Sequence, residues 1–452
     1  MQKFLSKYGL AAHLALVAVA PLFLSPVCVL WLTGLAVIWI LMEPSRIGDE
    51  SLGEAHRRVF RSIWTDPFFW LSVVLLTYAL VRYFNDGVSM AYDAETKAWA
   101  VSKPKMPILP GSVRGHGAVE MATAFAFCVV LQGCRHALGR SARMAFALVV
   151  SALSGIGAVV LAALLSMNYA FALALVECHS VNPSYLGTAM GAYSLLGTVA
   201  LLAVYERRWL KAMPLTVFSI GGNAAGLFLF APPMVQVVWG CGEILLLLYA
   251  FFYARKHLPG SGEFKFLVTF SIALTLGVVL VVATLPEQLL NARIAVFRTG
   301  AFFPDKFMVV RGVLSDISLK VWKSYAWLGT GLGSFPLGMR FHAAEADWAV
   351  VVPEQLAPLN GYWCILSERG IIGLAFILCP AAFLLWTYGA NLVRGIARGL
   401  PHPACWVGPL ALIAIGAESA IDASLTIPGV LLAVAFMMAL SASSFPKEKC
   451  NG

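Results

Sequence analysis

Long apolar runs alternate with short polar stretches along almost the whole of this chain. The runs lie at 10–25, 27–42, 67–83, 117–134, 144–165, 188–205, 214–231, 234–254, 266–284, 371–393, 404–422 and 425–443. A helix needs about 17–25 residues to cross ~30 Å of hydrocarbon, and each run is close to that length, the first two being short. The pattern predicts an all-α, polytopic membrane protein of about twelve transmembrane helices, a single membrane domain over 1–452. Residues 285–370 then form one large external loop between spans nine and ten, a partly helical lid.

Composition agrees with the pattern. Sixty per cent of the residues are hydrophobic and 12% charged, with a mean hydropathy of +0.81. That is more apolar surface than a soluble core of this length would bury. The formal charge of +9 is an orientation signal, because the basic residues sort by side. Lys3 and Lys7, Arg57 and Arg61, Arg135 and Arg143, Arg207 and Lys211, Arg255 and Lys265, Arg394 and Arg398, and Lys447 and Lys449 fall in one set of alternate stretches. The short loops of the other set (166–187, around Pro232–Pro233, and 422–425) carry no Lys or Arg. The positive-inside rule then predicts that both termini are cytoplasmic and that the first helix is an uncleaved anchor. No basic stretch is interleaved with stacking aromatics, so no nucleic-acid partner is expected. Nine cysteines without a C-x-x-C pair predict neither a disulfide framework nor a zinc site.

Charged residues inside a bilayer are costly, so their depth is informative. Arg82 ends span three, Glu120 lies one turn into span four, and Glu418 and Asp422 lie at the end of span eleven, all on the outer side. Only Glu243 sits near mid-depth. A transporter would place its ionisable groups and broken helices near the midplane in two related halves, and no such repeat is visible. In the external loop, Phe307, Val310, Leu314, Ile317, Val321, Tyr325 and Leu328 recur at three- and four-residue spacing, which predicts an amphipathic helix lying on the membrane surface. Arg311 lines one edge of its apolar stripe. The helix ends at a glycine-rich turn, Gly329-Thr330-Gly331-Leu332-Gly333-Ser334-Phe335-Pro336. That turn follows a helix and not a strand, so it is not read as a dinucleotide site.

Three segments carry a resemblance: Arg311 to Gly333, then Pro358-Leu359-Asn360-Gly361-Tyr362, then Ser367-Glu368-Arg369-Gly370-Ile371-Ile372-Gly373-Leu374. Their order, spacing and placement resemble the signature of the O-antigen ligase and O-antigen polymerase superfamily. A fourth segment, Asn182-Pro183-Ser184-Tyr185-Leu186-Gly187, resembles that family's Asn-Pro-Asn entry to a span. Two positions depart from the pattern. Leu359 stands where the family has its loop histidine, and the arginine often found before the Asn-Pro-Asn element is missing from Ala174–His179.

The resemblance implies a glycosyltransferase of the bacterial inner membrane, in a Gram-negative host. It would move a glycan from polyprenyl pyrophosphate to an acceptor hydroxyl at the periplasmic face, with inversion and without metal or cofactor. The donor partner would be the lipid-linked glycan, and the acceptor a lipid-anchored sugar (ligase) or a second glycan (polymerase). Such chemistry needs a cation for the diphosphate. By motif position that is Arg311, with Arg82, Arg114 and Arg298 as helpers and Arg293 and Arg340 as further candidates. It also needs a proton acceptor, and with Leu359 in the histidine position the candidates are His342 and Glu368, then His179, Glu345 and Asp347. Glu368 has a second reading, as a brace for span ten. A metal-using alternative rests on Asp93-Ala94-Glu95 and on His342, Glu345 and Asp347. A non-catalytic binder or transporter of lipid-linked glycan is the remaining alternative.

Overall fold

The computed structural model describes residues 2–23, 26–42, 51–93, 98–102, 112–113, 116–167, 183–207, 209–258, 260–284, 305–344, 347, 360–421 and short pieces of 433–441. Among these, eight helices are long and apolar enough to cross a membrane, which makes the chain a multi-pass membrane protein. They are α4 (Pro67–Phe84), α5 (His116–Gln132, continued by a π-turn at Gly133–Ala137), α6 (Arg140–Met167), α7 (Pro183–Glu206), α8 (Met213–Phe230), α9 (Pro233–His257), α10 (Gly262–Thr284) and α13 (Gly361–Arg398). Three further helices carry shorter apolar stretches: α1 (Gln2–Phe23, apolar over Gly9–Val19), α2 (Pro26–Met42) and α14 (Ala404–Ser419). The expected twelfth span, 425–443, lies mostly outside the described residues.

Helix α7 is the axis of the bundle, and an 18-residue window of it is wholly buried. Its neighbours α6, α8 and α9 pack around it. Apolar side chains gain little by leaving lipid for each other, so close backbone approach has to hold such a bundle together. Glycine permits it here. A Cβ on Gly222 of α8 would stand 2.6 Å from the Gly155 carbonyl oxygen of α6, and one on Gly155 would run into the Phe218 carbonyl. On the other side of α8, Gly221 meets Gly277 of α10 in the same backbone-to-backbone way. The π-turn Phe218–Gly222 interrupts α8 at this contact, and Asn223 Nδ2 donates to the Ser151 carbonyl (2.8 Å) and the Ser219 carbonyl (2.7 Å). Backbone groups loosened by the π-turn are thus met inside the bundle, as a lipid environment demands.

Three features differ from the sequence expectation. The segment after α4 carries a small sheet in the order β2-β1-β3: β1 (Asp86–Asp93) pairs antiparallel with β2 (Ala98–Ser102) and parallel with β3 (Ser112–Val113). Before α4, a short amphipathic helix, α3 (Leu52–Trp64), opens on a Ser51–Glu54 capping box. Third, the surface helix of the large loop, α11 (Asp305–Ser324), does not turn its main stripe to lipid. Leu314, Ile317 and Val321 are fully buried against Phe335 and Met339 of α12 (Phe335–His342), so its amphipathicity serves packing within the protein.

Candidate functional site

The site is built at the end of the bundle that the charge pattern assigns to the outside, here called the outer end. One glycine-dependent kink sets its frame. Helix α13 begins at Gly361, ten residues before the expected span, and breaks at Gly370 (φ 66°, ψ −169°). That backbone region is essentially open to glycine alone. A Cβ at Gly370 would strike the Trp327 carbonyl and stand 2.7 Å from the Gly329 amide nitrogen. Across this contact the glycine-rich turn hydrogen-bonds to the broken helix. The Thr330 and Gly331 amides donate to the Ser367 and Glu368 carbonyls (2.9 and 3.0 Å), and those of Ile371 and Ile372 donate to the Ala326 and Trp327 carbonyls (2.9 and 3.2 Å). The glycine-rich turn and the entry to span ten therefore form one clasp, in which carbonyls freed by the break at Gly370 find new donors.

Beneath the clasp lies a buried charge cluster. Glu120 of α5 bridges two arginines, with Oε2 3.5 Å from Arg82 Nε of α4 and Oε1 3.0 Å from Arg369 Nη2 of α13. Arg82 is fully buried, and its Nη1 donates to the Tyr78 hydroxyl at 3.1 Å. Glu368, beside Arg369 in sequence, is also buried and accepts from the Phe335 amide at 3.3 Å. That amide belongs to the first turn of α12, where a carboxylate is favoured by the unpaired N–H groups. The geometry gives Glu368 a bracing part: it caps α12 against α13.

A second cluster gathers at the end of α14. Arg311 of α11 donates through Nη2 to the Ala420 carbonyl, and Asn360 Nδ2 donates to the same oxygen at 3.1 Å. Asn360 also caps α13, its Oδ1 accepting from the Tyr362 and Trp363 amides (3.0 and 3.1 Å), while the Tyr362 hydroxyl reaches the Gly416 carbonyl at 2.7 Å. Two residues before Ala420, the fully buried Glu418 accepts from Trp239 Nε1 of α9 at 2.6 Å and from the Thr188 hydroxyl of α7. Thr188 lies in the first turns after the Asn182–Gly187 segment. Arg311, Asn360 and Thr188, far apart in sequence, thus converge on the C-terminal end of α14. Arg311 itself is half-buried there.

The two clusters and the remaining candidates are separated. Asn360 and Arg369 are nine residues apart in one helical stretch, so the two clusters are anchored about 14 Å apart along its axis at 1.5 Å per residue. His342 lies at the far end of α11, its Nε2 3.5 Å from Ser324 Oγ. Arg311 and Ser324 are thirteen residues, or about 20 Å, apart along that helix. Burial, with the Lys320 ammonium nearby, holds the His342 imidazole below its usual pKa, but that distance separates it from the Arg311 guanidinium. Arg114, Arg293, Arg298, Leu359, His179, Glu345, Glu95 and Asp422 lie outside the described residues. Among those described, no group of three or more His, Cys, Asp or Glu side chains is gathered as metal ligands. Arg369 and Trp239 were not singled out by sequence reasoning. The only signal for Arg369 was its place beside Glu368 in the span-ten entry, and Trp239 gave none. Compared with known proteins, the chain matches no family model and no curated protein.

Proposed function

We propose that the chain is a membrane glycan transferase. It would move a polyprenyl-pyrophosphate-linked glycan onto an acceptor hydroxyl at the outer face of a bacterial inner membrane, in the manner of an O-antigen ligase. The observation that carries this reading is the convergence of Arg311, Asn360 and the Thr188 region on the end of α14. Arg82 is buried in a paired cluster, whereas Arg311 is only half-buried. A planar, permanently charged fork suits a diphosphate leaving group, whose charge grows as the C1–O bond to phosphate breaks and the acceptor oxygen bonds to C1. The neighbours of Arg311, an amide and a backbone carbonyl, are not bases. The acceptor's proton therefore passes to a group outside this contact or to the departing diphosphate. Both termini would lie in the cytoplasm, with the acceptor a lipid-anchored core sugar (ligase) or a second lipid-linked glycan (polymerase).

Leu359 in the histidine position and the distance of about 20 Å between His342 and Arg311 favour a second reading, a non-catalytic binder or carrier of lipid-linked glycan. Reconstitution separates the two. Purified protein in liposomes with a polyprenyl-pyrophosphate glycan and an acceptor lipid should yield a new glycosidic product by mass spectrometry. Glycan moved across the bilayer with no new bond refutes the enzyme reading.

A further inference from the structure

Helix α3 lies at the opposite end of the bundle from this site, and none of the chemistry above uses it. Its inner face is docked to the protein. Ala55 and Val59 are buried, and Ser62 Oγ lies 2.6 Å from His136 Nδ1, whose Nε2 is 2.7 Å from Asp66. Its outer face is not covered. Phe60 is 55% exposed and Trp64 64%, and at 100° per residue Arg57 and Arg61 lie on the adjoining flank, one turn apart.

Two further contacts say what that face meets. Trp64 packs edge-on against Trp70 with ring centroids 4.9 Å apart, and Trp70 Nε1 donates to the Trp64 carbonyl at 3.1 Å. Trp70 belongs to the first turn of α4, a span of which only 17% of the apolar window is buried in the protein. The aromatic edge of α3 is therefore continuous with a lipid-facing helix surface, at the level where tryptophan favours the boundary between hydrocarbon and headgroups. An arginine flank beside that edge lies at the depth of the phosphates, and the helix carries three arginines against one glutamate.

We propose that α3 is a docking element for anionic phospholipid, Arg57 and Arg61 holding headgroup phosphates of the leaflet at this end while Phe60 and Trp64 enter the acyl boundary. An acidic protein partner would match the charge but not the continuity of the aromatic edge with α4.

The test uses the full chain in nanodiscs in which either phosphatidylglycerol or phosphatidylcholine carries brominated chains, at equal mole fraction. The chain has 13 tryptophans, so the Trp64 signal is taken as the difference between wild type and Trp64→Phe. Brominated phosphatidylglycerol should quench Trp64 more strongly than brominated phosphatidylcholine. Each Arg→Gln change at 57 or 61 should lower that preference about fivefold, the equivalent of ~1 kcal/mol per basic residue near an anionic surface. Salt supplies an independent reading without the arginine variants, since the preference in the same wild-type minus Trp64→Phe difference should shrink as salt is raised. Equal quenching by the two lipids overturns the charge-selective contact. No quenching by either places the helix off the membrane, leaves a protein partner as the alternative, and overturns the proposal altogether.

Discussion

Replacing Gly370 with alanine should unlock the clasp at the outer end. The residue sits at φ 66° and ψ −169°, where a non-glycine residue costs about 1–3 kcal/mol in backbone strain alone. Its new methyl would also meet the Trp327 carbonyl and the Gly329 amide, backbone atoms that a rotamer change cannot move aside. Relief requires the turn and helix to separate, which breaks up to four hydrogen bonds of 2.9–3.2 Å, each worth about 0.5–1.5 kcal/mol net. With all four bonds lost, strain and bonds together predict a destabilisation of roughly 3–9 kcal/mol, confined to the outer end. Gly389 supplies the control, since a Cβ there meets nothing within 4 Å. The assay is the half-life of the detergent-purified protein at elevated temperature, with limited proteolysis reporting on the turn around Gly331. Gly370→Ala should shorten the half-life and open the turn to cleavage, while Gly389→Ala does neither. Equal behaviour of the two variants would show that the kink is not held as described.

Other consequences are sharper for chemistry. Arg311→Lys should lose nearly as much glycan transfer as Arg311→Ala, roughly 30- to 1,000-fold or ~2–4 kcal/mol, because a point charge does not replace a bidentate fork; full transfer by Arg311→Ala in the reconstituted assay would remove it from the donor site. Glu120→Gln leaves Arg82 and Arg369 without their shared carboxylate and should cost about 3–5 kcal/mol. Adding Arg369→Met should recover part of that loss, read as unfolding half-life, and purely additive losses would contradict the bridge. At the other end of the bundle, burial pushes the Asp66 carboxyl up, but the His136 hydrogen bond and the Arg135 guanidinium outweigh it and hold it below its usual value. A depressed folded-state pKa stabilises above the unfolded value of about 3.9 and is lost as pH falls through the folded one. The stability deficit of Asp66→Asn relative to wild type should therefore be constant near neutrality and shrink in acid below about pH 4. A deficit unchanged down to pH 3 would show that the pair is not what Asp66 contributes.

The sequence made eight of the spans legible because length and hydropathy are one-dimensional quantities. The turn at 329–336 and the helix of Arg311 were legible for a similar reason, since glycine spacing and a 3.6-residue period leave local traces. What lay across that helix was not. The stripe of Leu314, Ile317 and Val321 looks the same whether it meets lipid or Phe335, and only the fold decides. Glu368 showed the same limit: its motif position allowed both chemistry and a brace for span ten, and only the fold supplies its contact with the Phe335 amide. The partnership of Glu418 with Trp239 and Thr188 spans 179 and 230 positions, a separation no local pattern encodes. Helix α3 is the opposite case. Its Ser51–Glu54 box and aromatic–arginine alternation were present in the sequence, but a loop between spans draws attention only to its charge.

The backbone contacts of Gly155, Gly222, Gly221 and Gly277 have a consequence for how the protein is made. Gly155 on α6 finds its partner only after 67 further residues have left the ribosome, the difference between positions 155 and 222. At ~5–20 residues per second that is a wait of roughly 3–13 s. During it the groove on α6 has no side chain to shield it, and Gly277 on α10 arrives later still. The central helices would then enter the bilayer one by one but close together late, as a set. A slowly translated stretch before α8, or a variant that delays insertion of α10, should leave full-length chains with intact spans and an unassembled centre.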